Sequence, residues 1–137
     1  MDYFKKYLDY ANKTNHFMIH NGISLTKFEK DLAEAELVIS KNSLNFLGTM
    51  HGGLYFTMAD CVAGSAARGD GRNYVTLGSS FDFIRSAKEG KVRAIAEVHH
   101  RGRTICHVAT RLIDEQDRLL AEGSFTMFCL QEPFVMD

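Results

Sequence analysis

Asp60 is the only charged residue between Gly52 and Ala67, a run otherwise dominated by Leu, Tyr, Phe, Met, Val, Cys and Ala. An isolated carboxylate in apolar surroundings costs several kcal/mol unless it is paired, hydrogen-bonded or protonated. Acids held in such places concentrate at functional sites, where they act as general bases or nucleophiles. The plainer alternative is a helical aspartate that reaches solvent or caps a neighbouring group. Just upstream, His51-Gly52-Gly53 offers backbone N–H groups with little side-chain bulk, at the positive end of whatever helix begins there. Such donors suit a developing oxyanion. A glycine-rich helix start with His51 as a local cap is the competing reading.

Gly52 and Asp60 are eight residues apart, which on one helix is about 12 Å along the axis. Within one chain they cannot serve the same carbonyl. Two antiparallel copies of the helix about a two-fold axis would bring the Gly52 end of one to Asp60 of the other, so a homodimer with two composite sites is expected.

The elements around these residues are readable from periodicity. Phe4, Tyr7, Leu8 and Ala11 recur at helical spacing, predicting a short amphipathic helix over about residues 2–13. Met18-Ile19-His20 and Ile23-Ser24-Leu25 suggest a strand, and Ala33, Ala35, Leu37 and Ile39 alternate as a second with one wet face. The apolar run covers every face of a helix over about 52–67, predicting a helix buried all round. Gly69 and Gly71 end it, and four strands follow at about Tyr74–Ile84, Val92–Val98, Thr104–Ile113 and Leu119–Leu130. One antiparallel sheet of about six strands wrapping one central helix satisfies this order: an α+β fold, in a single domain over 1–137.

The stretch Asn45-Phe-Leu-Gly-Thr-Met-His-Gly-Gly-Leu-Tyr-Phe-Thr-Met-Ala-Asp60 resembles the hotdog-fold acyl-CoA thioesterases of the phenylacetate-pathway (PaaI) type. The resemblance extends through Thr76 to Ile84 and the Arg101-Gly-Arg-Thr104 turn into the last strand. It implies a hotdog fold and hydrolysis of acyl-CoA to free acid and CoA. Asp60 then stands as general base or nucleophile, and Gly52 as the backbone donor to the thioester carbonyl. Asn45 and His51 orient that region, and Thr76 positions the attacking water. Gly53, Phe56 and Arg85 fall against the substrate, while Arg85-Ser86 departs from the Arg-Pro of many relatives. From the residues alone, Asn45 is equally a turn former and Thr76 an ordinary strand residue.

Arg85, Lys88, Lys91, Arg101 and Arg103 form the densest basic region and could meet the phosphates of coenzyme A; solvated turn charge is the alternative. A net charge of -1 supplies no global field for nucleic acid or an anionic membrane. Cys61, Cys106 and Cys129 lack any CxxC spacing and read as reduced core thiols, and His99, His100 and His107 as surface histidines, so no metal and no cofactor beyond the substrate's own CoA is expected. The first residues lack the apolar core of a secretory signal, pointing to the cytoplasm. A non-catalytic acyl-CoA binding or sensing module uses the same pocket and is the alternative function; a hydratase is disfavoured because His51 is poorly placed as an Asp/His partner. Acyl preference, and tetramer against dimer, are left open.

Overall fold

The computed structural model describes residues 2–137. Helix α1 (Tyr3–Thr14) starts where the Asp2 side chain accepts from the Lys5 N–H (2.9 Å) and buries Tyr7 and Ala11. Tyr7 stacks on Phe28 with ring centroids 4.2 Å apart and its hydroxyl meets Ser65 Oγ at 3.0 Å, so the expected N-terminal helix is a packed part of the domain.

Residues 18–20 depart from expectation. They lie in a short helix, α2 (His16–His20), in which only Met18 is buried. A strand would bury alternate residues; this turn buries one and then closes on Gly22 at φ 79°. The Gly22 N–H bonds to Ile19 O (3.0 Å) and the Ile23 N–H to Met18 O (3.1 Å), the pairing that stops a helix at a left-handed glycine.

Strands β1 (Ser24–Glu29), β2 (Leu32–Val38), β3 (Arg72–Phe83), β4 (Lys91–Arg101), β5 (Ile105–Ile113) and β6 (Leu119–Pro133) form one antiparallel sheet in the order β1-β2-β4-β5-β6-β3. Helix α3 (Gly52–Ala67) lies across its inner face, contacting chiefly β4, β5 and β2. This is the hotdog arrangement. Ala59, Ala63, Ala66 and Ala67 on the helix and Ala33, Ala35, Ala94 and Ala96 on the sheet are all buried, and short side chains on both surfaces permit the close approach.

Strand β3 is an edge, paired to β6 alone, and it reaches beyond the cover of α3, so Val75 to Ser80 are exposed. The helix is therefore not buried all round. Gly53 is exposed and Phe56, Thr57, Asp60 and Cys61 are half-buried, because one helix on a curved sheet leaves its β3-facing flank open.

The C-terminal end of α3 is closed by Arg101. Its Nη1 donates to Ala67 O (2.7 Å) and its Nη2 to Ala66 O (3.2 Å), while Nη2 also pairs with Asp31 Oδ1 (2.8 Å) and Nη1 with Asp70 Oδ2 (2.9 Å). Asp70 accepts further bonds from Tyr74 Oη (2.6 Å) and Arg72 Nε (2.8 Å). Burial pushes the Asp70 carboxyl upward, but the bonds from Tyr74 and Arg72 and the charge of Arg101 outweigh it and hold it below its ordinary 3.8.

Removing Arg101 leaves Asp31 without its ion-pair partner, strips Asp70 of one of its two arginines and frees two helix-end carbonyls. Arg101→Met should lower the unfolding free energy by about 3 kcal/mol in urea titrations. Because the folded Asp70 is depressed, its stabilisation is complete above 3.8 and is lost as pH falls through its lower folded value. Asp70→Asn should flatten that acid limb of stability against pH.

Candidate functional site

Asp60 sits midway along α3, on the flank facing β3. Its Oδ1 accepts the Thr76 hydroxyl at 2.6 Å. Two elements thus converge on one carboxylate: the helix supplies it and the edge strand holds it, leaving Oδ2 with no partner among the described residues. The pair lines a cleft of about 510 Å³ between α3 and β3, together with Phe17, Phe56, Thr57 and Met127. Phe56 packs its ring against Phe81 and Phe125, at centroid distances of 5.6 and 5.3 Å, forming an apolar wall beside the acid.

Cys61, next in sequence, lines the same cleft. Burial, and then the neighbouring Asp60 charge, push its thiol up to about 12, so it stays protonated and does not compete as a nucleophile.

At the helix N-terminus each early N–H group can be accounted for. Those of Leu54 and Tyr55 reach His51 O at 2.9 and 3.2 Å, and that of Gly53 is taken by His51 Nδ1 at 2.8 Å. Gly52 N–H alone of these has no acceptor among the described residues. His51 is accordingly the helix cap, and accepting at Nδ1 fixes its proton on Nε2. The capping reading of His51 holds, and the cap consumes the Gly53 donor while leaving the Gly52 N–H without an internal acceptor among the described residues. Clefts of about 430 and 250 Å³ open on either side, the first lined by Phe17, His51, Gly53 and Thr57, the second by Gly52, Tyr55, Phe83 and Arg85.

Asn45 is used locally. Its Oδ1 accepts from the N–H groups of Leu47 (2.9 Å) and Thr49 (3.2 Å), and its Nδ2 donates to Thr49 Oγ1 (3.0 Å). The side chain shapes the turn that delivers the chain to Gly52, with Gly48 at φ 77°.

The basic residues do not form one region. Strand β4 runs eleven residues from Lys91 to Arg101, about 33 Å at an extended rise, so its ends lie far apart. Arg85, whose carbonyl accepts from Tyr55 Oη at 3.0 Å, borders the N-terminal end of α3. Arg101 is spent on the C-terminal end, and Arg103 is exposed beside it, its carbonyl accepting from Arg72 Nη1 at 2.9 Å. Arg101 is a fold-holding residue, a correction to its reading as a phosphate ligand.

A sequence model of the thioesterase superfamily matches residues 47–121, the segment running from the helix start through both acidic and hydroxyl partners. The chain belongs to the thioesterase superfamily. Its similarity to individual members is spread over most of its length. The Mycobacterium tuberculosis protein named "Putative esterase Rv1847" is 33% identical over 118 residues, covering 82% of this chain and 84% of that protein. A Streptococcus mutans protein, smu.793, solved bound to acetyl CoA, is 28% identical with a TM-score of 0.78 over 82% of this chain and 91% of its own. A Streptococcus pneumoniae "Hypothetical Thioesterase Protein", solved with coenzyme A, is 26% identical, with a TM-score of 0.78 over 82% and 91%. That thioesterase was also solved with an aspartate-to-alanine and with a threonine-to-alanine substitution, at positions as far apart in its sequence as Asp60 and Thr76 are here.

Phe17, Asn15 and Arg68 line the cleft and were not anticipated. Phe17 is 66% exposed, and misreading 18–20 as strand hid the helical turn that swings it over the site. Arg68 follows Asp60 and Gly64 at helical spacing, a signal present in the sequence.

Replacing His51 by Ala frees the Gly53 N–H and should cost about 1 kcal/mol of stability in denaturant unfolding, whereas His51→Asn, which can still cap, should recover most of it.

Proposed function

We propose that this chain hydrolyses acyl-CoA thioesters, with Asp60 as the catalytic carboxylate. The observation that carries the reading is the Asp60–Thr76 pair: a carboxylate on an otherwise core helix, held at one oxygen by a 2.6 Å hydrogen bond and free at the other inside a cleft. Its membership of the thioesterase superfamily supports the reaction class, and the coenzyme A bound to two of its structural relatives supports the leaving group.

In this reading Thr76 donates to Oδ1 and Oδ2 either takes a proton from water or attacks the thioester carbonyl itself. The tetrahedral oxyanion accepts from Gly52 N–H, at the positive end of α3. The thiolate of coenzyme A leaves with little need of protonation, so no separate strong acid is required. Phe56 and Gly53 border the acyl and thioester portions, and Arg85 lines the cleft beside the Gly52 donor. Coenzyme A enters as part of the substrate, with no cofactor or metal assigned.

Asp60 and Gly52 still lie about 12 Å apart along α3. We therefore assign the working site to a homodimer, Asp60 and Thr76 coming from one protomer and Gly52 from its partner. The open edge of β3 and the exposed Leu77, Phe83 and Ile84 support a second copy as the missing cover. A cytoplasmic enzyme fits this substrate class; among the described residues no helix is long and apolar enough to cross a membrane.

Thiol release from a panel of short, medium and aryl acyl-CoAs, corrected for the three cysteines, tests the activity. Asp60→Asn should lose at least about a thousandfold in kcat with fold intact. Gly52→Pro is a matched test of the donor: proline is tolerated at the first helical position, His51 has the extended backbone (φ -61°, ψ 134°) that proline demands of its predecessor, and the new Cβ meets only the Phe83 ring at 3.3 Å, an exposed side chain with room to shift. It should cost about a hundredfold or more in kcat. Each variant alone is dead, but mixed and re-equilibrated they should restore about a quarter of native activity, since half the dimers then carry one intact composite site. No recovery would place both groups in one chain, and binding of acyl-CoA without turnover by the native protein would make the chain a binding module.

A further inference from the structure

The cleft that holds Asp60 ends at a guanidinium. Arg68 lines it together with Gly64 and Asp60, and these three residues fall at i, i+4 and i+8 on the same flank of the helix axis, running on from α3 into the turn that follows it. Arg68 side chains at this end lean back toward the helix N-terminus: its Nη1 lies 3.0 Å from where a Cβ on Gly64 would stand. The missing side chain at Gly64 is what makes room for it.

The charge is positioned but not neutralised. Nη1 donates to Tyr7 Oη at 3.3 Å and Nη2 to Tyr74 O at 3.0 Å, and the guanidinium lies over the Phe134 ring at 5.3 Å. None of these partners is anionic. None of the ion pairs among the described residues involves Arg68, and no carboxylate there lies within 4.0 Å of it. Its Nε is fully buried and has no acceptor. Arg101, a few ångströms of chain away in the fold, shows the contrast, with two aspartates and two carbonyls around it. A half-buried guanidinium with spare donors, facing a cleft, is a site for an anionic oxygen.

We propose that Arg68 selects the acyl group, and that the preferred substrates are thioesters of short dicarboxylic acids, whose free carboxylate meets Arg68 while the thioester lies at Asp60. This rests on the hydrolase reading above. The length follows from the helix. Gly64 is one turn beyond Asp60, about 6 Å along the axis; the hydrogen bond to the guanidinium takes up about 2.8 Å of that and the carbonyl stands off Asp60 by about 3 Å, so at about 1.2 Å per bond about three to five bonds reach from the carbonyl to the carboxylate oxygen. That is a malonyl to glutaryl chain, with glutaryl at the upper limit. Phe56 and Met127 line the methylene path between the two polar ends, and a long hydrocarbon tail would instead be driven against an unpaired charge.

The test compares glutaryl-CoA with valeryl-CoA, equal in length but with a methyl in place of the carboxylate, on the purified full chain. The native protein should favour glutaryl-CoA in kcat/KM by about tenfold or more, and Arg68→Gln should erase most of that ratio, with Arg68→Lys retaining part of it. A native preference for valeryl-CoA would overturn the proposal. So would an Arg68→Gln protein in which both values fall by the same factor, because a pin that merely ties α1, β3 and the C-terminal tail together cannot tell the two substrates apart. Turnover of neither thioester would sink the hydrolase reading instead; calorimetric binding of the same pair to the native protein then decides the selectivity, equal affinities overturning it and tighter glutaryl-CoA binding sustaining it.

Discussion

The close approach of α3 to the sheet is the constraint from which the rest of the structure follows. Alanines on the helix meet alanines on β2 and β4, and enlarging any of them would force apart surfaces packed near the density of a crystal, at about 1–3 kcal/mol each. A helix seated that low can cover only the middle of a six-stranded sheet. The two strands at its far side, β6 and β3, curve past it, and the flank of α3 that faces them is left half-open. Asp60 occupies that flank. The fold therefore reconciles two demands that conflict in most cores: a helix apolar enough to anchor the domain, and a carboxylate on it that stays reachable from solvent.

The two ends of α3 are finished in opposite ways. At the C-terminal end Arg101 supplies charge to the last carbonyls and is itself neutralised by Asp31 and Asp70, so the negative end of the helix dipole is occupied. At the N-terminal end His51 satisfies the N–H groups of Gly53, Leu54 and Tyr55, and the positive end stays open at Gly52. Under the proposed function, an oxyanion arriving there would find a donor already aligned, with no competing internal bond to break, which is the condition under which such a donor stabilises a transition state more than it stabilises the ground state.

Most of this architecture was legible in the chain because its periodicities are strong. The alternation in β2 and β4 and the unbroken apolar run of α3 place their own elements, and a charged residue inside such a run marks itself as Asp60 did. The failures have a common origin in residues whose role is set by distant partners. Met18-Ile19-His20 carries no period of its own, and the helical turn there is imposed by the glycine that closes it. Arg101 looks like any turn arginine until β4 brings it under the end of α3. Thr76, by contrast, was legible only through the family resemblance and not from the local pattern, since its bond to Asp60 joins residues sixteen positions apart across the cleft. Asn45 was legible as a turn former, because a residue that shapes its own turn needs only its neighbours.

In the function proposed above, the open edge of β3 would tie the chemistry to assembly. Its twelve residues hydrogen-bond to β6 on one side, and on the other they present unpaired backbone groups beside exposed Val75, Leu77 and Phe83. Such an edge is a liability in an isolated chain. Under the dimer proposed above, the same strand serves both halves of an isologous contact, residue i of one copy meeting j of the other and the reverse. Covering it also covers the cleft floor, since Thr76 lies on that strand, and so would exclude water from the site in the same step that supplies the second chain's Gly52. Electrostatic interactions strengthen as water leaves. An isolated protomer would carry a hydrated carboxylate far from any oxyanion donor, whereas the pair would bring acid, donor and dry surroundings together, so that the shape of the edge and the placement of the carboxylate answer to one requirement.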